Sequence, residues 1–316
     1  MTALRRVVAA LLLVAAVGAC ADSGTKQAAP SSSSAAPAST TAPASTRPFH
    51  VTRRDITVED TSRPTNAAPD RNLSEKPSRT LPVMLLVPDG PGPFPLLEFS
   101  HGVTGTGPAY IGYLQPIAEA GYVVAAPTFP LSSGPGGEIG DYVNQPGDVY
   151  FVIDSVIKMS GDANDPLHGK VDADHIAVAG HSLGAMTTYG AVYNSCCTQP
   201  RVNASIVLSG VETPFPNGDY NARPTIPLML AHGAKDTTIV VSSGDALYEK
   251  STSPTAYVRF ADATHNSIFV GENGKLLDQA SIAWLDKWLR NDNAGFDALP
   301  AAVTASGNAT LQTKNL

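Results

Sequence analysis

From about residue 50 onward, short runs of β-branched and apolar residues alternate with amphipathic stretches, the pattern of a mainly parallel sheet with both faces covered. Strands are predicted over 50–59, 81–87, 95–99, 122–126, 175–179, 204–208, 227–231 and 256–260. Helices are predicted over 110–120, 148–159, 183–193, 244–250 and 278–290. The early strands follow one another without helices, so the sheet should open with an antiparallel hairpin. After Asn293 the pattern fades, and a short terminal strand or a frayed end is expected. There is no internal repeat and no sustained heptad.

The front of the chain reads differently. Arg5 and Arg6 precede an apolar stretch over 7–17, too short for a comfortable membrane span, and Val17-Gly18-Ala19-Cys20 closes it. This tetrapeptide resembles a bacterial lipobox, which implies that Cys20 is lipidated and becomes the first mature residue. The paired arginines leave both the general and the twin-arginine export routes open. Residues 21–48 collapse to Ala, Ser, Thr and Pro, with almost nothing to bury, and read as an extended tether. The expected division is a signal peptide at 1–19, a tether at 20–48, an α/β domain at 49–293 and a tail at 294–316. The expected location is the extracytoplasmic face of the cell membrane, or the medium if Cys20 carries no lipid.

Composition narrows the body to one large α/β domain: 27 Gly and 26 Pro with only 16% charged residues do not suit helical bundles. The formal charge of −7 disfavours nucleic acid. Loss of residues 1–19 leaves 19 basic against 28 acidic residues, a formal −9, so anionic lipid would give a tethered chain no electrostatic help. Cys196 and Cys197 are adjacent, and an oxidising compartment permits either a vicinal disulfide or two buried thiols. No further Cys/His pair stands at ligand spacing, and no metal or cofactor is implied.

The chemistry centres on Gly180-His181-Ser182-Leu183-Gly184, directly after a predicted strand and before a predicted helix. A serine on so sharp a turn leaves no room for side chains two positions to either side, which explains both glycines. Ser182 would project at the carboxyl edge of the sheet over a helix N-terminus, where amides favour developing negative charge. A serine hydroxyl needs a base, and the partners follow in order: Asp236 after the strand at 227–231, then His265 after the last predicted strand. Glu212 is the substitute acid. The loop Ser100-His101-Gly102-Val103-Thr104-Gly105 would supply one oxyanion amide from Val103, with Thr104 the runner-up. Leu183 supplies the other. His181 reads as structural under the turn, and His101 as shaping its loop. His50, His168, His175 and His232 carry no pattern and read as surface or hydrogen-bonded loop residues.

The stretches Phe99-Ser100-His101-Gly102, 122–130, 171–182 and 227–236 resemble the α/β-hydrolase branch that holds cutinase-like polyester hydrolases, dienelactone-hydrolase-like lipoproteins, chlorophyllases and platelet-activating-factor acetylhydrolases. That resemblance covers roughly residues 80–290 and implies an α/β-hydrolase fold and a serine carboxylic-ester hydrolase. Polyester hydrolases usually carry methionine where this chain has Leu183, and an aromatic residue where it has Val103. Their tryptophan after the following strand is replaced here by Val211-Glu212-Thr213-Pro214-Phe215, and the two tryptophans, Trp284 and Trp288, both lie in the last predicted helix. Too few residues separate 208 from 227 for a helical cap, so an open site for lipid-like, bulky or polymeric esters is expected. The Gly-rich stretch 131–147, carrying Tyr142, is a candidate flap or an ordinary surface loop. The same triad could serve an acyltransferase or thioesterase, and a binding lipoprotein could keep the fold without turnover. The sequence sets no oligomeric state.

Overall fold

In the computed structural model, which describes residues 49–316, the early apolar runs pair as their spacing predicts. β1 (Val51–Asp60) and β2 (Arg79–Pro88) lie antiparallel, with Val51 opposite Pro88 and Asp60 opposite Arg79. β3 (Phe94–Ser100), β4 (Val123–Pro127), β5 (Val171–His181), β6 (Val202–Leu208), β7 (Leu228–Gly233) and β8 (Thr255–Phe260) then form the parallel part, and β2 joins β4 antiparallel. A last strand, β9 (Ala309–Lys314), returns antiparallel along β8. The order across the sheet is β1-β2-β4-β3-β5-β6-β7-β8-β9.

Because successive side chains point to opposite faces, each inner strand feeds two cores. In β5, Ala177 and Ala179 join one apolar cluster and Ile176 and Val178 the other. The first cluster is covered by α1 (Ile111–Glu119), α5 (Gly271–Leu289) and α6 (Ala294–Ser306). The second is covered by α2 (Gln145–Gly161), α3 (Leu183–Tyr193) and α4 (Val241–Lys250). A mainly parallel sheet with helices on both faces, opening on an antiparallel hairpin, is the α/β-hydrolase fold. Parallel strands bring the loops after β3, β5, β7 and β8 to one carboxyl edge, where such sheets place their ligands.

The chain beyond Asn293 departs from expectation. It forms a helix as well as a strand, because Phe296, Leu299 and Val303 recur at helical spacing and are buried with Trp284 of α5. Residues 209–227 form no helix, so no helical cap rises between β6 and β7. The signal segment, Cys20 and the tether lie outside the described residues. Among the described residues no helix is long and apolar enough to cross a membrane, and no group of three His, Cys, Asp or Glu could hold a metal ion.

Candidate active site

Ser182 sits between β5 and α3 with φ 57° and ψ −118°, a left-handed conformation that an L-residue adopts only when its surroundings hold it there. The packing does so. A Cβ on Gly180 would collide with the carbonyl of Gly184, and one on Gly184 with the carbonyls of Ser100 and His101. Ser182 N–H donates to Leu208 O at 3.0 Å, which pins the turn to β6. Although it stands at the N-cap of α3, the serine makes no side-chain capping bond. Among the described residues its Oγ has no hydrogen-bond partner, and catalytic hydrogen bonds often tighten only once substrate is bound.

The acid and base loops are zipped together by backbone. Ala234 N–H donates to Phe260 O at 2.7 Å and Lys235 N–H to Ala263 O at 2.9 Å, so the ends of β7 and β8 deliver Asp236 beside His265. His265 Nδ1 lies 2.7 Å from Asp236 Oδ2. Asp236 Oδ1 accepts from the amides of Thr238 at 2.8 Å and Ile239 at 2.9 Å. Burial alone would raise the carboxyl pKa; hydrogen bonds from His232 and His265, the nearby His265 and the Ile239 amide outweigh it and hold Asp236 well below the usual carboxylate range. A fixed carboxylate keeps the Nδ1 proton in place and leaves His265 Nε2 as the free base. Glu212 is committed elsewhere, 2.7 Å from Arg223 and 2.9 Å from Lys250.

His232 corrects the sequence reading. It is no surface or loop residue: it lies one residue before the end of β7, is buried, and directs Nε2 to within 3.3 Å of Asp236 Oδ2. The signal was its place directly before Gly233-Ala234-Lys235-Asp236, at the end of a strand that carries the acid loop.

The oxyanion loop meets the elbow at Gly102, where a Cβ would stand 3.2 Å from Ser182 Cβ. Gly105 N–H donates to Gly102 O across a turn with Thr104 at φ 64°. Thr104 N–H is taken by Ser132 O at 2.7 Å, which removes the runner-up as a donor. Among the described residues the Val103 and Leu183 amides have no intramolecular acceptor. His101 braces the loop: Nδ1–H donates to Gly102 O at 2.7 Å and Nε2 accepts from Phe129 N–H at 3.0 Å. Tyr110, which sequence reasoning assigned no role, accepts from Gly102 N–H at 3.2 Å and lies 2.8 Å from His181 Nδ1.

An apolar wall stands beside Ser182. Tyr142, Leu183 and Phe215 form one buried cluster, and Val103, Ile139, Met186 and both adjacent cysteines pack against it. Cys196 and Cys197 are joined in a vicinal disulfide. The 131–147 stretch is anchored on this wall: the Tyr142 hydroxyl donates to Pro214 O, and its ring meets Phe215 edge-on at 5.0 Å. The residue before Tyr142, Asp141, is tied down as well: with Asp148 of α2 it shares the fully buried Arg79 of β2 at 2.6–2.8 Å.

Comparison with known proteins came to the same region. The chain is 25% identical over 203 residues to Cutinase est1 and 24% identical over 203 residues to Cutinase est2, both of Thermobifida alba, with 63% of this chain covered in each case. It is 27% identical over 147 residues, 46% of the chain, to Chlorophyllase-1, chloroplastic, of Citrus sinensis. The matches span 64% and 63% of the cutinases' own length and 40% of the plant protein's. The family model for Chlorophyllase matches residues 52–234, more than half of the chain. On that match, which runs from β1 through the elbow to the start of the acid loop, the chain belongs to the chlorophyllase family.

Proposed function

We propose that this protein is a serine carboxylic-ester hydrolase that works at the extracytoplasmic face of the cell membrane, held there by lipid on Cys20. The observation that carries the reading is the 2.7 Å pairing of His265 with Asp236 beside a serine held at φ 57° on the elbow. His265 Nε2 takes the Ser182 proton as Oγ bonds to the ester carbonyl carbon. Charge on the carbonyl oxygen is met by the Val103 and Leu183 amides. The intermediate collapses, the alcohol leaves with the proton returned by His265, and an acyl-enzyme remains on Ser182. Water, deprotonated by His265, attacks the acyl carbon, and the carboxylic acid leaves as Ser182 regains its proton.

The wall of Tyr142, Phe215 and Leu183 supports an apolar acyl group, and the lack of a helical insert between β6 and β7 supports a bulky one. The names of the relatives, cutinases and a chlorophyllase, fit large apolar esters. Turnover of p-nitrophenyl esters of graded chain length tests the chemistry. Ser182→Ala should abolish turnover with the circular dichroism spectrum intact, and near-full activity in that variant would refute the mechanism. Cys20→Ser should move the protein from the membrane fraction to the medium; unchanged membrane retention would refute the anchor.

A further inference from the structure

We propose that His232 is a positioning residue for the acid of this site: from the end of β7 it clamps the Asp236 carboxylate with a second imidazole N–H and thereby sets the strength of His265 as a base. The inference rests on the reading of Asp236 and His265 as acid and base.

The tautomer follows from the partners. His232 Nε2 is 2.8 Å from Ile239 O, and a carbonyl oxygen only accepts, so Nε2 carries the proton. The same nitrogen is 3.3 Å from Asp236 Oδ2, so its N–H, bonded to Ile239 O, also faces the carboxylate at close range. The Asp236 oxygens are then fully engaged. Oδ1 accepts two amides, and Oδ2 accepts His265 Nδ1–H on one side and has His232 Nε2–H 3.3 Å away, nitrogen to oxygen, on the other.

The ring is built into its place. A Cβ on Gly244 of α4 would stand 2.7 Å from both His232 Nδ1 and the Tyr257 hydroxyl, so only glycine lets that helix close over it. The groups facing the pair are Asp236 and His265, His181 from the end of β5, and the Tyr257 hydroxyl of β8, which donates to Asp245 of α4.

A carboxylate faced by two imidazole N–H groups has its charge spread and its direction fixed. Removing His232 leaves Oδ2 to His265 alone, with the carboxylate freer to turn and its charge less neutralised. A more concentrated charge stabilises the His265 imidazolium, so the free base would appear only at higher pH. A residue that merely filled space would alter stability and leave the pH dependence where it was.

The test is the pH profile of kcat/KM for a p-nitrophenyl ester in the wild type, His232→Leu and His232→Gln, with folding checked by circular dichroism. Glutamine can place an N–H where His232 Nε2 stands, and leucine cannot. We expect His232→Leu to lose roughly tenfold, mainly in kcat, and its acid limb to move up by about half a pH unit. His232→Gln should recover most of the loss and return the limb toward the wild-type position. An unmoved limb in folded His232→Leu, or equal losses in both variants, would overturn the proposal. If His232→Leu does not fold, His232→Asn, whose shorter amide falls short of the carboxylate, takes its place under the same criteria. An NMR titration of the His265 ring in wild type and variant reads the same shift without substrate. No ester turnover by the wild type would therefore count against the function, whereas an unshifted titration would count against His232.

Discussion

Tyr110 and His181 share a 2.8 Å hydrogen bond that links the oxyanion loop to the elbow and, through His181, to the base loop. His181 Nε2 is 3.1 Å from His265 O, so that nitrogen donates, and Nδ1 accepts from the Tyr110 hydroxyl. The tyrosine oxygen in turn accepts from Gly102 N–H at 3.2 Å. One chain of bonds thus sets the spacing of the three loops that hold Val103, Ser182 and His265.

Tyr110→Phe breaks that chain in the middle and leaves a buried imidazole nitrogen and the Gly102 amide unpartnered. The expected cost is about 1–3 kcal/mol of stability, together with a fall in kcat larger than any rise in KM. Urea midpoints and ester kinetics on the same samples check it, and an unchanged kcat would remove Tyr110 from the account.

Arg79 is fully buried and holds two buried aspartates, Asp141 and Asp148. Taking away this cation leaves Asp148 to the half-buried Arg63 alone and Asp141 with only the Asn144 amide and no counter-charge, so Arg79→Met should cost about 3–5 kcal/mol. Chemical denaturation measures it. A variant as stable as the wild type would mean that the 131–147 stretch does not depend on this network.

Burial holds His101 down to about 4, against its bond to Gly102 O; burial and then the neighbouring His265 hold His181 down to about 3. Both folded values lie below that of an unfolded histidine, about 6.5, so between these limits the unfolded chain binds more protons. Stability from these rings is therefore complete above about pH 7 and is lost as the pH falls toward 4. For His101 the loss reaches about 3 kcal/mol. Urea midpoints at pH 7.5 and 4.5 in wild type and His101→Asn isolate it, and parallel pH slopes would contradict it.

The Cys196–Cys197 bridge closes almost no loop, so it removes little entropy from the unfolded chain. Its sulfurs pack on the wall that holds Phe215 and Leu183. Replacing both cysteines with alanine should therefore leave Tm within about 3 °C while raising KM more for long acyl chains than for acetate. A large loss of Tm, or a uniform change across chain lengths, would place the bridge in folding rather than in the acyl site.

Much of the fold could be read in advance because periodicity and turn chemistry agreed. The helix after the elbow spans Leu183–Tyr193 as predicted, and the predicted strands fall within about a residue or two of the observed ones, apart from an earlier start to β5. Asp236 and His265 could be named because their loops follow strands in a fixed chain order. What could not be read was contact between distant segments. Phe296, Leu299 and Val303 have helical spacing, but alanines and Pro300 dilute it, and only Trp284 across the interface shows what they bury. His232 and Tyr110 carry no motif of their own, since their roles depend on which ring nitrogen or amide stands opposite. Glu212, a rival acid by its place after a strand, is distinguished only by its contacts with Arg223 and Lys250.

Mass spectrometry of the folded protein after treatment with a fluorophosphonate tests whether Ser182 is an activated nucleophile. One covalent adduct is expected, located on Ser182, absent in Ser182→Ala and strongly slowed in His265→Ala. No adduct on correctly folded wild-type protein, or an adduct on another residue, would contradict it.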